Sequence, residues 1–375
     1  MKRQDIIIFS YLLCAPLVYW KSQDVSQLLY LQIGSMVLFG LCTMFDHVRK
    51  FRADKYLSLF VVYAVSQALL SGCNVTMLTS ASYIFSGFLI YYSVYCYCDD
   101  VKLVSGAIKV IVLINCGYLV FQFFNVDPAF VYVDSSPSAN VVKARLVGVM
   151  SQSNHLGMLG IIGTIIAIAN FDIVFLIGSL ILLFLSQSYI AVFGSLVSMY
   201  VYSTSIIDVS FPGTAWRAVA IWVIAMLGFF TFAYMHKDDI REKLDIRGAI
   251  YDRTLKAAAK KPITGYGPGM WLKSSIREFP TTEPGFKLVH DKLNCQYLRF
   301  MFNHGLIGLG LLMLFLRNLK RKLRNFDYAG YYAAIIGILI VSIFQDPMHF
   351  PRIAIMVTAA YAALKIKEAD SGVAT

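Results

Sequence analysis

Charge is scarce in this chain. Only 15 % of its 375 residues are Asp, Glu, Lys or Arg, where a soluble domain carries about a quarter. Apolar residues make up 58 %, and the mean hydropathy is +0.64. That balance excludes a soluble globule, because most of the hydrophobic surface has to face lipid. Metal-ligand spacing is missing too. The seven cysteines (14, 42, 73, 96, 98, 116 and 295) fall mostly inside apolar runs, and "CYC" at 96–98 is the spacing of buried packing. No His/Asp/Glu/Cys cluster has ligand spacing either. Internal repeats and low-complexity tracts are lacking. The start, "MKRQDIIIFSYLLCAPLVYW", has a basic segment and an apolar stretch but no small-residue cleavage site, so it reads as a retained first helix.

What is present is a series of apolar runs. A helix needs roughly 20 apolar residues to cross about 30 Å of hydrocarbon. On that template twelve spans fall near 5–20, 27–44, 56–71, 77–96, 104–124, 154–170, 172–187, 189–205, 215–234, 295–316, 329–345 and 350–366. The expected fold is all-α: a polytopic integral membrane protein of about twelve transmembrane helices, residues 1–375 forming one membrane domain. With twelve spans, "MKR", "HVRKFRADKY" (47–56), "RNLKRKLR" (317–324) and "KIKE" (365–368) share one side. The lysine and arginine bias makes that side cytoplasmic, with both termini inside. Two long loops, 125–153 and 235–294, then lie outside. Cys73 and Cys295 share that outer face, where two thiols rather than a disulfide are expected.

The larger outer loop runs against the usual charge bias. Residues 235–292 hold twelve Lys/Arg and eight Asp/Glu. Loops of this length cross despite their charge. A solvated face near anionic headgroups accounts for such a loop, and so does a pocket for a polyanionic ligand. Within it, "DIRGAIYDRTLKAAAKKPITGYGPGMW" (245–271) begins as a helix with Ile250, Tyr251, Leu255 and Ala258 on its apolar face and cations opposite, suited to the membrane interface plane. Pro262, Gly265, Gly267 and Gly269 then force turns. They do not form a phosphate-binding fingerprint, since no strand precedes them.

Three segments together resemble the O-antigen ligase and polymerase superfamily, which includes lipopolysaccharide O-antigen ligases, O-antigen and capsule polymerases and bacterial O-linked oligosaccharyltransferases. Arg145, Gly148, Asn154, His155, Leu156 and Gly157 are similar to that family's approach to a span. Arg247, the aromatic Tyr251 and "KKPITGYGPGMW" resemble its arginine followed by a proline- and glycine-rich turn. "NCQYLRFMFNHGLIGLGLL" (294–312) resembles its return into the membrane. The resemblance covers roughly residues 140–315. The chain departs from the pattern at Ser153, where the family has proline, and at Ser188–Tyr189, where some members carry an arginine. Asn294 and Cys295 stand in the family's histidine and asparagine columns, with His290 one helical turn earlier. Ligases and pilin-type transferases usually keep that histidine, so its loss tilts the reading toward a polymerase.

The resemblance implies a GT-C-like membrane glycosyltransferase in the bacterial inner membrane, with its active site facing the periplasm. It implies transfer of a glycan from undecaprenyl diphosphate to the sugar hydroxyl of an acceptor glycolipid. The leaving diphosphate gathers negative charge that fixed cations stabilise, and arginine binds phosphate oxygens two at a time. Arg145, Arg247 and Arg253 are therefore the expected diphosphate ligands, set against loop capping for Arg145 and snorkelling for Arg253. His290 and Asp291 are candidate bases for the acceptor hydroxyl, while His304 lies far into the helix. Asn154, His155, Asn294 and Tyr297 are candidate sugar or phosphate contacts, with helix capping the competing role for Asn154 and His155. No cofactor or metal is expected: the first outer loop, where metal-dependent membrane glycosyltransferases usually place carboxylates, holds Asp24 alone.

A ligase acting on lipid A–core and a transferase acting on protein serine or threonine are the alternative acceptor readings. A transporter would place ionisable groups near the midplane and show an inverted half-repeat. Here Lys109 and Arg299 fall toward span ends and no such repeat is present. Other polysaccharide-assembly membrane proteins are expected partners; nucleic acid is not.

Overall fold

The structure, a computed structural model, describes residues 2–18, 25–45, 54–70, 74–124, 132–134, 143–145, 148–150, 153–186, 188–210, 234, 248, 250–270, 295–321, 329–345 and 351–370. Eleven long helices occur among the described residues. They are α1 (Arg3–Val18), α2 (Val25–Cys42), α3 (Lys55–Leu70), α4 (Val75–Tyr97), α5 (Lys102–Phe123), α6 (Ser153–Ala169), α7 (Ile173–Leu185), α8 (Tyr189–Ser210), α9 (Gln296–Arg321), α10 (Ala329–Val341) and α11 (Pro351–Asp370). Each coincides with an expected span to within five residues at either end. The remaining one, 215–234, lies outside the described residues except at its last position.

Among the described residues, three stretches are long and apolar enough to cross a membrane: Val75–Tyr97, Lys102–Phe123 and Gln296–Leu319. Five further apolar helices are shorter, such as Ile173–Leu185 and Lys55–Leu70; the latter is about 24 Å long at 1.5 Å per residue. The outside of the bundle is as apolar as the inside. Val62 is 62 % exposed, Leu70 88 % and Ile173 71 %, a surface made for lipid and not for water. This is an integral membrane protein of apolar helices.

Lipid offers no hydrophobic drive to pair helices, so close approach is made through small residues. A Cβ on Gly163 of α6 would come within 2.3 Å of Ser179 Oγ on α7, and one on Gly194 of α8 would lie 3.2 Å from the Gly337 carbonyl of α10.

The helices alternate in direction and so define two ends. At the first, the Lys2 ammonium lies 2.5 Å from Asp99 at the foot of α4, and Lys109 pairs with Asp172 at 2.5 Å. Asp54, ahead of α3, accepts from Tyr361 Oη at 2.7 Å and Asn318 Nδ2 at 3.3 Å, with Lys365 Nζ 3.6 Å away. The described parts of the basic segments named above thus share this end. The opposite end collects the C-terminal turns of α3, α5 and α10 with the N-terminal turns of α4, α6, α9 and α11.

One departure from the all-α expectation is a small antiparallel hairpin, β1 (Tyr132–Asp134) and β2 (Lys143–Arg145), pairing Tyr132 with Arg145, Val133 with Ala144 and Asp134 with Lys143. The aromatic and β-branched pair Tyr132 and Val133 in β1 suits a strand.

Candidate functional site

The glycine-rich loop and the start of α9 form one joint. Helix α9 is broken at Gly305, whose φ of 61° and ψ of −160° are open only to glycine. Such a break frees carbonyls on one side and amides on the other, and in lipid each needs a partner. The loop supplies them. Tyr266 N donates to Phe302 O at 2.9 Å and Gly267 N to Asn303 O at 2.8 Å. In return Leu306 N donates to Pro262 O at 2.8 Å and Ile307 N to Ile263 O at 3.2 Å. Loop and break are so close that a Cβ on Gly305 would sit 2.3 Å from the Ile263 oxygen. One on Gly265 would sit 2.6 Å from Asn303 backbone atoms.

Helix α3 pins the joint from the side. Tyr63 Oη donates to His304 O at 2.9 Å and to Thr264 O at 3.3 Å. Gln67 Nε2 also donates to Thr264 O, which leaves its Oε1 as the acceptor facing His304 Nδ1 at 2.7 Å. That assignment puts the proton on Nδ1 of His304.

Immediately before the loop, residues 250–258 are helical and pack on the first half of α9. Ile250, Ala257, Ala258 and Phe302 form a small buried cluster with Tyr251, Tyr266, Leu298 and Met301 at its edge. Tyr266 stacks on Phe302 at 4.5 Å, its hydroxyl donates to Ala257 O at 3.2 Å, and the Lys261 ammonium lies 5.0 Å over its ring. Leu255, expected on the apolar face, is 46 % exposed, whereas Thr254 is buried and bonds to Ile250 O. The inward stripe is 250, 254, 257 and 258, the i, i+4, i+7, i+8 spacing of a helix pressed against protein. A threonine is admitted there because its hydroxyl is satisfied by the preceding turn.

The second segment is a 3-10 turn, Gly148–Met150, directly ahead of α6. Two side chains of α5 hold its amides: Gly148 N donates to Gln122 Oε1 and Val149 N to Asn115 Oδ1, both at 3.0 Å. Arg352, in the first turn of α11, donates from Nη1 to Val149 O at 2.8 Å and is 2 % exposed. His155 faces Met150 O at 3.3 Å and is 3 % exposed. Gly148 has a φ of 57°, and a Cβ there would meet Asn115 Oδ1 at 2.4 Å.

The end of α10 ties the two segments together. Gln296 N donates to Ser342 O at 2.9 Å and Gln345 O at 3.1 Å, and Tyr251 Oη to Ile343 O at 3.4 Å. Seven residues after Gln345 comes Arg352 on the 148–150 turn, a stretch of chain no longer than about 25 Å.

Of the expected site residues, Asn154 is half-buried at the start of α6, and Arg253 is half-buried on the 250–258 helix. Tyr297 donates to Leu339 O at 2.8 Å. The backbone of Arg145 sits in β2, three residues before the clamped turn; its side chain, with Arg247, His290, Asp291 and Asn294, lies outside the described residues. Cys295 is buried just ahead of α9, and Cys73 lies outside the described residues. Among the described residues no group of three or more His, Cys, Asp or Glu is placed to hold a metal ion.

Sequence reasoning missed Asn115, Gln122, Arg352, Tyr63 and Gln67, and weighed His304 only as a base. Their signal was available: each is a polar or ionisable residue inside an apolar run, where burial demands a partner.

No curated protein matches the chain. Residues 146–313 match the family model described as O-antigen ligase (Wzy_C), a stretch that takes in the clamped turn, the 250–269 segment and the broken helix. Members of that family are membrane glycosyltransferase-like enzymes, ligases and polymerases. Over this stretch, a little under half of its length, the chain is similar to the O-antigen ligase family.

Proposed function

We propose that the protein is an O-antigen or capsular polysaccharide polymerase. It transfers glycan from undecaprenyl diphosphate to a sugar hydroxyl of a second lipid-linked repeat unit, at the periplasmic face of the bacterial inner membrane. The observation that supports this best is the gathering of all three motif-bearing segments at one end of the bundle, opposite the end that carries the described basic residues 2, 317 and 365. The charge bias assigns the basic end to the cytoplasm.

In the proposed step the acceptor oxygen attacks the anomeric carbon, the bond to the diphosphate oxygen breaks, and the acceptor proton passes to a base. His290 or Asp291 takes the proton. Arg145 and Arg247, with Arg253 beside them, hold the diphosphate as its charge grows. Asn154, Asn294 and Tyr297 orient sugar. His155, buried behind the turn, acts through Met150. Arginines take the part a metal ion plays elsewhere, so no cofactor enters the step.

The family takes in ligases and polymerases alike, and Asn294 in the histidine column favours a polymerase. Deleting the gene separates the two. A capped single-repeat glycolipid without a ladder is the polymerase outcome. Long lipid-linked polymer left unattached to lipid A–core means a ligase, and intact surface polysaccharide with an unglycosylated protein overturns both.

A further inference from the structure

We infer that Arg352 is a positioning residue of this site, acting through the 148–150 turn; the inference rests on the polymerase or ligase reading above. An arginine in the first turn of an apolar membrane helix is costly to bury and is kept there by function or by a specific partner. Here one such partner is the carbonyl of Val149. The amides of Gly148 and Val149 are held by Gln122 and Asn115, so α5 grips one side of the turn and α11 the other. Arg145 lies three residues upstream of Gly148 and Asn154 four residues downstream of Met150. The turn is therefore the hinge between the proposed diphosphate ligand and the proposed sugar contact, and its tilt sets where both point.

Burial decides between direct and indirect action. At 2 % exposure Arg352 is closed to solvent, so it works by fixing that turn and not by meeting the substrate. A charge-assisted bond to a carbonyl is among the stronger single contacts available, and the carbonyl belongs to a turn entered through a left-handed glycine. Gln122 and Asn115 hold the amide side of the turn and Arg352 the carbonyl side, so removing any one loosens the same element.

The test uses the full chain in lipid nanodiscs, with two readouts. The first is amide exchange of the peptide covering residues 145–157. Arg352→Met removes the bond, and Arg352→Lys keeps a cation able to reach the carbonyl. Exchange at Gly148 and Val149 is expected to rise about ten- to a hundredfold in Arg352→Met, with at least partial recovery in Arg352→Lys. Gln122→Leu, which leaves the buried arginine in place, is expected to give the same local signature should Arg352→Met fail to fold. The second readout is glycan transfer from a lipid diphosphate donor. Loss of transfer in Arg352→Met and Gln122→Leu, and no further loss when Arg352→Met is added to Arg145→Ala, is the expected pattern.

Faster exchange with unchanged transfer means that the clamp exists but the site reading is wrong. Lost transfer with unchanged exchange, or additive loss on top of Arg145→Ala, overturns the positioning role and makes Arg352 a direct substrate ligand. Unchanged exchange and transfer in both variants also overturns the proposal.

Discussion

Replacing Gly305 with alanine probes the joint between loop and broken helix. The residue sits at φ 61° and ψ −160°, a region that costs an L-residue about 1–3 kcal/mol. The added methyl would lie 2.3 Å from the Ile263 oxygen and 2.6 Å from the Gly265 nitrogen, both main-chain atoms that cannot swing aside. The loop must therefore withdraw, and the bonds from Leu306 N to Pro262 O and Ile307 N to Ile263 O go with it. At about 1 kcal/mol net per bond, the combined loss is about 3–5 kcal/mol. Gly310, in the same helix, has nothing within 4 Å of an added Cβ. Gly310→Ala is accordingly expected to be neutral or stabilising by about 0.5–1 kcal/mol. Thermal unfolding of both variants in the same detergent, followed by size-exclusion fluorescence, reads the difference. Gly305→Ala is expected to melt about 5–10 °C below Gly310→Ala. Equal melting temperatures would refute the joint.

Three further outcomes follow from the same reading. Arg247→Ala is expected to abolish product while leaving the amount of protein in the membrane unchanged, and Arg247→Lys to be nearly as poor because a point charge cannot replace the bidentate fork; product length on a gel and a membrane immunoblot check both. Transfer is expected to persist in excess chelator, measured with purified protein and lipid-linked donor; loss restored by a divalent cation would contradict the arginine-only step. At the other end, Asp54→Ala removes the acceptor of buried Tyr361 and of Asn318, while Lys365 keeps Glu368 at 3.1 Å. A loss of about 1–3 kcal/mol in stability is expected, read by thermal unfolding.

The helices were legible because lipid imposes a simple rule: an apolar run of the right length has to be helical, since its backbone can find partners no other way. The hairpin was not, because three residues per strand carry too little pattern to outweigh the general expectation. Glycines 265, 267 and 269 were read correctly as turns. What those turns dock against was hidden, because nothing local distinguishes Gly305 from Gly308 or Gly310 as the point of fracture; only the approach of residues 262–265 selects it. Leu255 and Thr254 show the same limit. Hydrophobicity favoured the leucine for the inward face, yet helix phase and a satisfied hydroxyl put the threonine there. Arg352 was overlooked because a single cation at a span end reads as a topological marker, and only coordinates reveal the carbonyl it holds.

In the proposed step, arginines from two separate segments meet on one polyprenyl diphosphate. A structure of the full chain with a bound lipid diphosphate is the decisive test. The diphosphate is expected at the loop end of the bundle, with the guanidinium groups of both Arg145 and Arg247 within about 3 Å of its oxygens. A diphosphate bound at the Asp54 end, or one touched by neither arginine, would contradict it.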